Sequence, residues 1–193
     1  MKKTILILFV TGVNFIYAQQ VFPLEANKID YPNGAYYKDI NGELNPYIGT
    51  WKGNWDGKTI YLELKKIKKR TTANNGKYYD IDKIVGERKI ISSTGAVEVD
   101  RITNFNETDY EFSGIYGQYK DFSKKHLLFQ PKDMCNKTAN ININFINPEK
   151  TQMQLRFEYN PSGITQSCKY YNQIMEGKDW PFNFPKDIIM TKQ

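Results

Sequence analysis

The chain has 193 residues, with 27 Lys and Arg against 21 Asp and Glu, a formal net charge of +6 and 15% aromatic residues. The acids are spread among the bases, so this balance does not describe a nucleic-acid-binding surface. One histidine and two cysteines mean that a zinc site of the usual His/Cys composition would exhaust the available ligands, and any histidine-dependent nucleophile would have to use that one histidine.

Lys2 and Lys3 precede an apolar run from Thr4 to Tyr17, and Ile16 and Ala18 occupy the two specificity positions of a signal-peptidase site. The pattern is that of a secretory signal peptide, residues 1–18, cut between Ala18 and Gln19. A membrane span needs about 20 apolar residues, and this run is shorter and holds Asn14. No cysteine follows the cut, so a lipid anchor is not expected there. The expectation is a soluble exported protein, periplasmic or extracellular, with no transmembrane span. Residues 19–48 read as an extended capping segment and 49–193 as a single domain.

Alternation begins at Gly49. Asp56-Gly57 is a strong two-residue hairpin signal, because a type I′ turn needs positive φ at both positions. That turn sets Trp55 opposite Lys58, Gly53 opposite Ile60 and Trp51 opposite Leu62. One face then carries Trp51, Gly53, Trp55, Ile60, Leu62 and Leu64, and the other Thr50, Lys52, Asn54, Thr59, Tyr61 and Glu63. Gly53 leaves space between the two indoles. The second strand runs into Lys65, Lys66, Lys68, Lys69 and Arg70, followed by a polar tip at Thr71–Gly76. This basic run suits contact with an anionic surface such as lipid headgroups. The preferred reading is a solvated loop whose lysines discourage edge pairing.

Tyr78–Ile91 changes parity along its length, which predicts a bulge or bend near Asp82-Lys83. Further strands are expected over Ala96–Thr103, Tyr110–Tyr116 and Lys125–Gln130. Ile141, Ile143 and Phe145 alternate with asparagines, and Met153, Leu155, Phe157 and Tyr159 with polar residues. Phe145 opposite Met153 brings both apolar sets to one face across a loop at Pro148-Glu149-Lys150. The segment from Trp180 to Met190 is expected to dock, with a ninth strand as one way of doing so. The fold class is therefore all-β, an antiparallel meander barrel of eight to nine strands. Cys135 and Cys168, in an exported chain, are expected to form a disulfide; two separate thiols are the alternative.

Gly49-Thr50-Trp51 on the first strand of such a meander resembles the Gly-x-Trp signature of the lipocalin and calycin barrels. The resemblance implies that Trp51 closes one barrel end under an arginine, Arg156 or Arg101. Pro32–Asp39, Gly49–Gly53, Gly57–Ile60 and Ile84–Gly86 together resemble an uncharacterised family of secreted proteins, a domain of unknown function. That family occurs in Bacteroidota-type bacteria, and the resemblance implies export and a single domain without implying an activity.

For chemistry, His126 reads as structural or solvent-facing, and no Gly-x-Ser-x-Gly elbow accompanies it. Asp80 with Asp82, and Asp109 with Glu111, are same-face acid pairs of the kind glycoside hydrolysis uses and exposed strands also carry. The chain reads as a non-enzyme without cofactor or metal. Trp51, Trp55, Leu62, Leu64, Ile143, Leu155 and Phe157 are expected to converge inside the barrel. An eight-stranded barrel is just wide enough to fill itself or to hold one small ligand. The leading expectation is non-covalent binding of a small, mostly apolar molecule. The alternative is an envelope or extracellular interaction module with a filled core.

Overall fold

A computed structural model describes residues 19–26, 28, 30–118, 121–132, 135, 138–158, 165–178 and 183–193. The expected leader, Tyr159 and Trp180 lie outside these residues. Strands β1 (Val21–Pro23) and β2 (Ala35–Lys38) are followed by a 3-10 turn at Asn45–Tyr47. Then come β3 (Gly49–Trp55), β4 (Lys58–Thr72), β5 (Tyr78–Ile91), β6 (Val97–Asp100), β7 (Phe112–Gln118) and β8 (Asp121–Phe129). The chain continues through β9 (Ala139–Phe145), β10 (Gln152–Glu158), a helical turn α1 (Tyr171–Met175) and β11 (Asp187–Lys192).

Eight of these strands form a closed antiparallel barrel in the order β5-β4-β3-β11-β10-β9-β8-β7, with β7 pairing back onto β5. The opening hairpin has the expected register, Trp51 opposite Leu62 and Trp55 opposite Lys58. Its turn residues Asp56 and Gly57 both have positive φ, 46° and 75°, as a type I′ turn demands. Phe145 lies opposite Met153, and Ile141, Ile143 and Leu155 point inward while Asn140, Asn142 and Asn144 face outward.

Two expectations about individual strands are corrected. The segment at 97–100 is not a barrel stave. It folds back over the Ser92–Gly95 turn, pairs with only the last residues of β5, and stops where Asp100 accepts the Thr103 N–H at 3.0 Å. The stave it would have supplied is β11, which pairs with both β10 and β3 and so closes the barrel. No bulge interrupts β5 against β4. The register is continuous from Thr59–Ile91 to Thr72–Tyr78, so the parity change reflects neighbours instead. Beyond the barrel wall β5 gains β2 on its far edge, and the odd residues Tyr79 and Ile81 find apolar cover there.

Among the described residues the barrel interior is packed with apolar side chains. Trp51, Ile60, Leu62, Leu64, Ile84, Ile90, Phe112, Leu127, Phe129, Ile141, Met153, Leu155 and Met190 are all 0% exposed and form one cluster. The expected space at Gly53 is taken by β11: a Cβ built there would lie 2.6 Å from Ile188 Cδ1. At the end marked by the Asp56-Gly57 turn, Phe184 inserts its ring among Phe112, Phe129 and Phe157, at 5.7, 5.2 and 6.4 Å between centroids. At the other end Leu44, Tyr47 and Ile48 pack against the core, and Trp51 Nε1 donates to the Tyr47 carbonyl at 2.8 Å. Cys135 and Cys168 form the disulfide, with Cα atoms 5.6 Å apart. Closing a loop with a sequence separation of 33 stabilises the fold by about 4 kcal/mol in the chain-entropy picture.

Candidate functional site

The seven residues expected to line the barrel do converge. Trp51, Leu62, Leu64, Ile143 and Leu155 belong to the buried cluster, and Trp55 and Phe157 pack on its edge. None of the seven lines the cavity described next.

That cavity lies at the barrel end closed by the N-terminal segment. β2 pairs with Tyr79–Ile81 of β5 and β7 pairs with Ile84–Gly86, so Asp82 and Lys83 have neither strand beside them. A space of about 610 Å³ opens at this gap. Volumes of roughly 300–1,000 Å³ are typical of small-molecule sites. Its apolar wall is Leu24, Leu44, Tyr47, Tyr79, Ile81 and Ile115, and its ionisable lining is Glu25, Lys28, Glu43, Asp82, Lys83 and Lys125.

The wall is held by a polar scaffold. Asp82 accepts the Tyr36 hydroxyl at 2.7 Å and the Asp39 N–H at 3.0 Å. Burial, together with the carboxylate of Asp82 that its hydroxyl bonds, pushes the Tyr36 phenol up to about 12. Asp39 in turn accepts the N–H groups of Glu43 and Leu44 at 2.7 and 3.2 Å, which shapes the loop that carries Leu44 into the cavity wall. Lys28 donates to the Leu24 and Ala26 carbonyls at 2.5 and 3.4 Å and lies 4.8 Å from the Tyr37 ring centre. Burial lowers its pKa, opposed by nearby Glu25. Lys83 donates to the Tyr110 hydroxyl at 3.4 Å. Asp82 and Lys83 stand out in the sequence for other reasons, but the gathering of these residues at one cavity does not, because it depends on where β2 leaves the edge of β5, which no local pattern encodes.

The other expected sites resolve as follows. The basic run is largely matched within the chain. Lys66 bonds Asp39 at 3.1 Å, Lys68 and Arg70 both meet Asp80 at 3.4 and 3.0 Å, and Lys65 meets Glu63 at 3.3 Å. Asp80 and Asp82 each accept hydrogen bonds within the fold, Asp80 from Gln19 and Arg70 and Asp82 from Tyr36 and the Asp39 N–H. Glu111 is buried against Arg88 at 2.8 Å, whereas Asp109 is exposed and paired with Lys132. Neither expected arginine covers Trp51: Arg156 pairs with Asp187 at 3.0 Å on the surface and Arg101 pairs with Glu87 at 3.0 Å. His126 is half-buried on β8 opposite Asn142, and burial lowers its pKa, opposed by Glu158. Among the described residues no group of three His, Cys, Asp or Glu side chains is placed to hold a metal ion. Among them, too, no helix is long and apolar enough to cross a membrane.

A family model described as a family of unknown function (DUF6705) matches residues 1–193. No curated protein and no solved structure matches the chain.

Proposed function

The chain belongs to this family of unknown function, and we propose that it is an exported, non-enzymatic protein that binds one small, mostly apolar molecule without covalent chemistry. The observation that carries this reading is the cavity of about 610 Å³ at the end of the barrel closed by residues 24–47. Its site differs from the sequence expectation, since the barrel interior is occupied by its own side chains. An apolar wall with charged groups at its margin suits a ligand whose body is dehydrated on binding and whose orientation is set by a few polar contacts. Export is supported by the leader pattern at residues 1–18 and by the Cys135–Cys168 bridge, a bond that persists in oxidising compartments.

Titration with a hydrophobic anilinonaphthalene dye tests the reading in the wild type and in an Ile115→Trp variant, whose larger ring fills the cavity. Saturable one-site binding that the variant loses supports it. Absence of saturable binding to the folded wild type defeats it in favour of the second reading, an interaction module acting through its surface. The packed interior is the observation on that side. Any contact with an anionic surface would then fall to Lys69 and to the outer parts of Lys68 and Arg70, whose side chains are 44% and 59% exposed.

A further inference from the structure

The residue that follows the expected signal-peptide cut is seated by its side chain. Gln19 Nε2 donates to the Gly34 carbonyl at 2.8 Å and to Asp80 Oδ2 at 3.1 Å, and Gln19 Oε1 accepts from Lys68 Nζ at 3.2 Å. These partners lie 15, 61 and 49 positions away in the chain, so the seat exists only in the folded protein. It is rigid on its far side. Asp80 is 4% exposed and is gripped by Arg70 through Nε at 3.0 Å and a second guanidinium nitrogen at 3.3 Å. The next residue is fixed through its backbone, with Tyr36 N–H donating to the Gln20 carbonyl at 2.8 Å, and β1 follows directly.

Cleavage after Ala18 makes Gln19 the first residue, and a terminal glutamine is chemically labile. Its α-amine attacks its own side-chain carbonyl carbon, the Nα–Cδ bond closes a five-membered lactam, and the Cδ–Nε2 bond breaks. Nε2 leaves as ammonia with the proton that Nα gives up. Ring closure requires Cδ to fold back onto Nα, whereas in this structure both ends of the amide are tied to β4, β5 and the Gly34 turn. We infer that Gly34, Lys68 and Asp80 form a seat that keeps the mature N-terminal glutamine open-chain and slows its conversion to pyroglutamate. The inference rests on the export reading for the position of the cut. Its consequence reaches the cavity, because Leu24, Glu25 and Lys28 form one wall and follow directly from the strand that Gln19 anchors.

The test uses the full chain exported from a Gram-negative host, with its N-terminal peptide followed by mass spectrometry for the loss of one ammonia. The wild type is compared folded and in urea, alongside folded Lys68→Met and Asp80→Asn variants whose melting curves confirm that they are folded. Cyclisation is expected to be about tenfold or more slower in the folded wild type than in urea, since the seat must open first. The variants are expected to fall between. Equal rates in folded and unfolded wild type overturn the seat while leaving the cut intact. A first residue other than Gln19 overturns the cut and the inference together.

Discussion

The ammonium of Lys192 lies 5.4 Å from the centre of the Trp51 ring and donates to the Pro46 carbonyl at 3.1 Å. A cation therefore does cover the first-strand tryptophan, but it comes from the last strand and is a lysine. It joins three pieces of one barrel end: the 3-10 turn before β3, β3 itself and β11. A cation–π contact of this kind is worth about 1 kcal/mol at a partly exposed position. Lys192→Met is expected to lower unfolding free energy by about that amount in urea titrations. Lys192→Arg should retain most of it, and equal losses in the two variants would show that the charge over Trp51 does nothing.

Gly53 is required by the approach of β11. A Cβ there would meet Ile188 Cδ1 at 2.6 Å and both Ile188 Cγ1 and the Ile189 carbonyl at 3.0 Å. Gly53→Ala should cost about 1–3 kcal/mol through this overpacking. Adding Ile188→Val, which removes the closest atom, should recover part of the loss, so the double variant will be less destabilised than the sum of the singles.

Phe184 is held to the barrel by aromatic contacts and by Arg88, which donates to the neighbouring Asn183 carbonyl. Phe184→Ala should destabilise the fold by about 3–4 kcal/mol and leave an apolar void among Phe112, Phe129 and Phe157. Such a void admits small aromatic guests. Saturating benzene is therefore expected to raise the melting temperature of the variant and leave that of the wild type unchanged.

Asp80 carries a clear pH signature. The Arg70 guanidinium bonded to it, with further hydrogen bonds from Gln19 and Lys68, holds its carboxyl down to about 2. In the unfolded chain it titrates near its ordinary value of about 4. Between these values the unfolded state binds more protons, so the stabilisation is complete above pH of about 4 and is lost as pH falls toward 2. Asp80→Asn should be less stable than wild type at neutral pH, and the gap should narrow on acidification through that window. A constant gap across it would show that the ion pair does not set acid sensitivity.

Much of the barrel was legible because its information is local. The Asp56-Gly57 turn fixes β3 against β4, and the alternation around Ile141–Phe145 and Met153–Phe157 fixes β9 against β10. The misplaced stave had no such local mark. Val97–Asp100 alternates as well as a true stave does, yet it pairs only with Lys89–Ile91 of β5, while β7 takes Ile84–Gly86. The site was less legible still. Trp51, Leu62 and Leu155 are inward in the pattern, but whether inward positions fill or enclose a space depends on volumes supplied by Ile188 and Phe184, distant in sequence. Lys65–Arg70 reads as a bare basic run, and its partners Asp39 and Asp80 arrive from other strands.

The pairing of β11 with β3 also makes the barrel depend on strands far apart in sequence. Residues 187–192 supply the eighth stave and Gln193 N–H donates to the Thr50 carbonyl at 2.9 Å, so the β3–β4 hairpin is completed by a distant segment. Without β11 in place, β3 and β10 both present open edges with the core between them exposed. Closure joins strands distant in sequence, a topology that folds slowly. A chain in that state is open to edge-to-edge association, which the closed barrel removes.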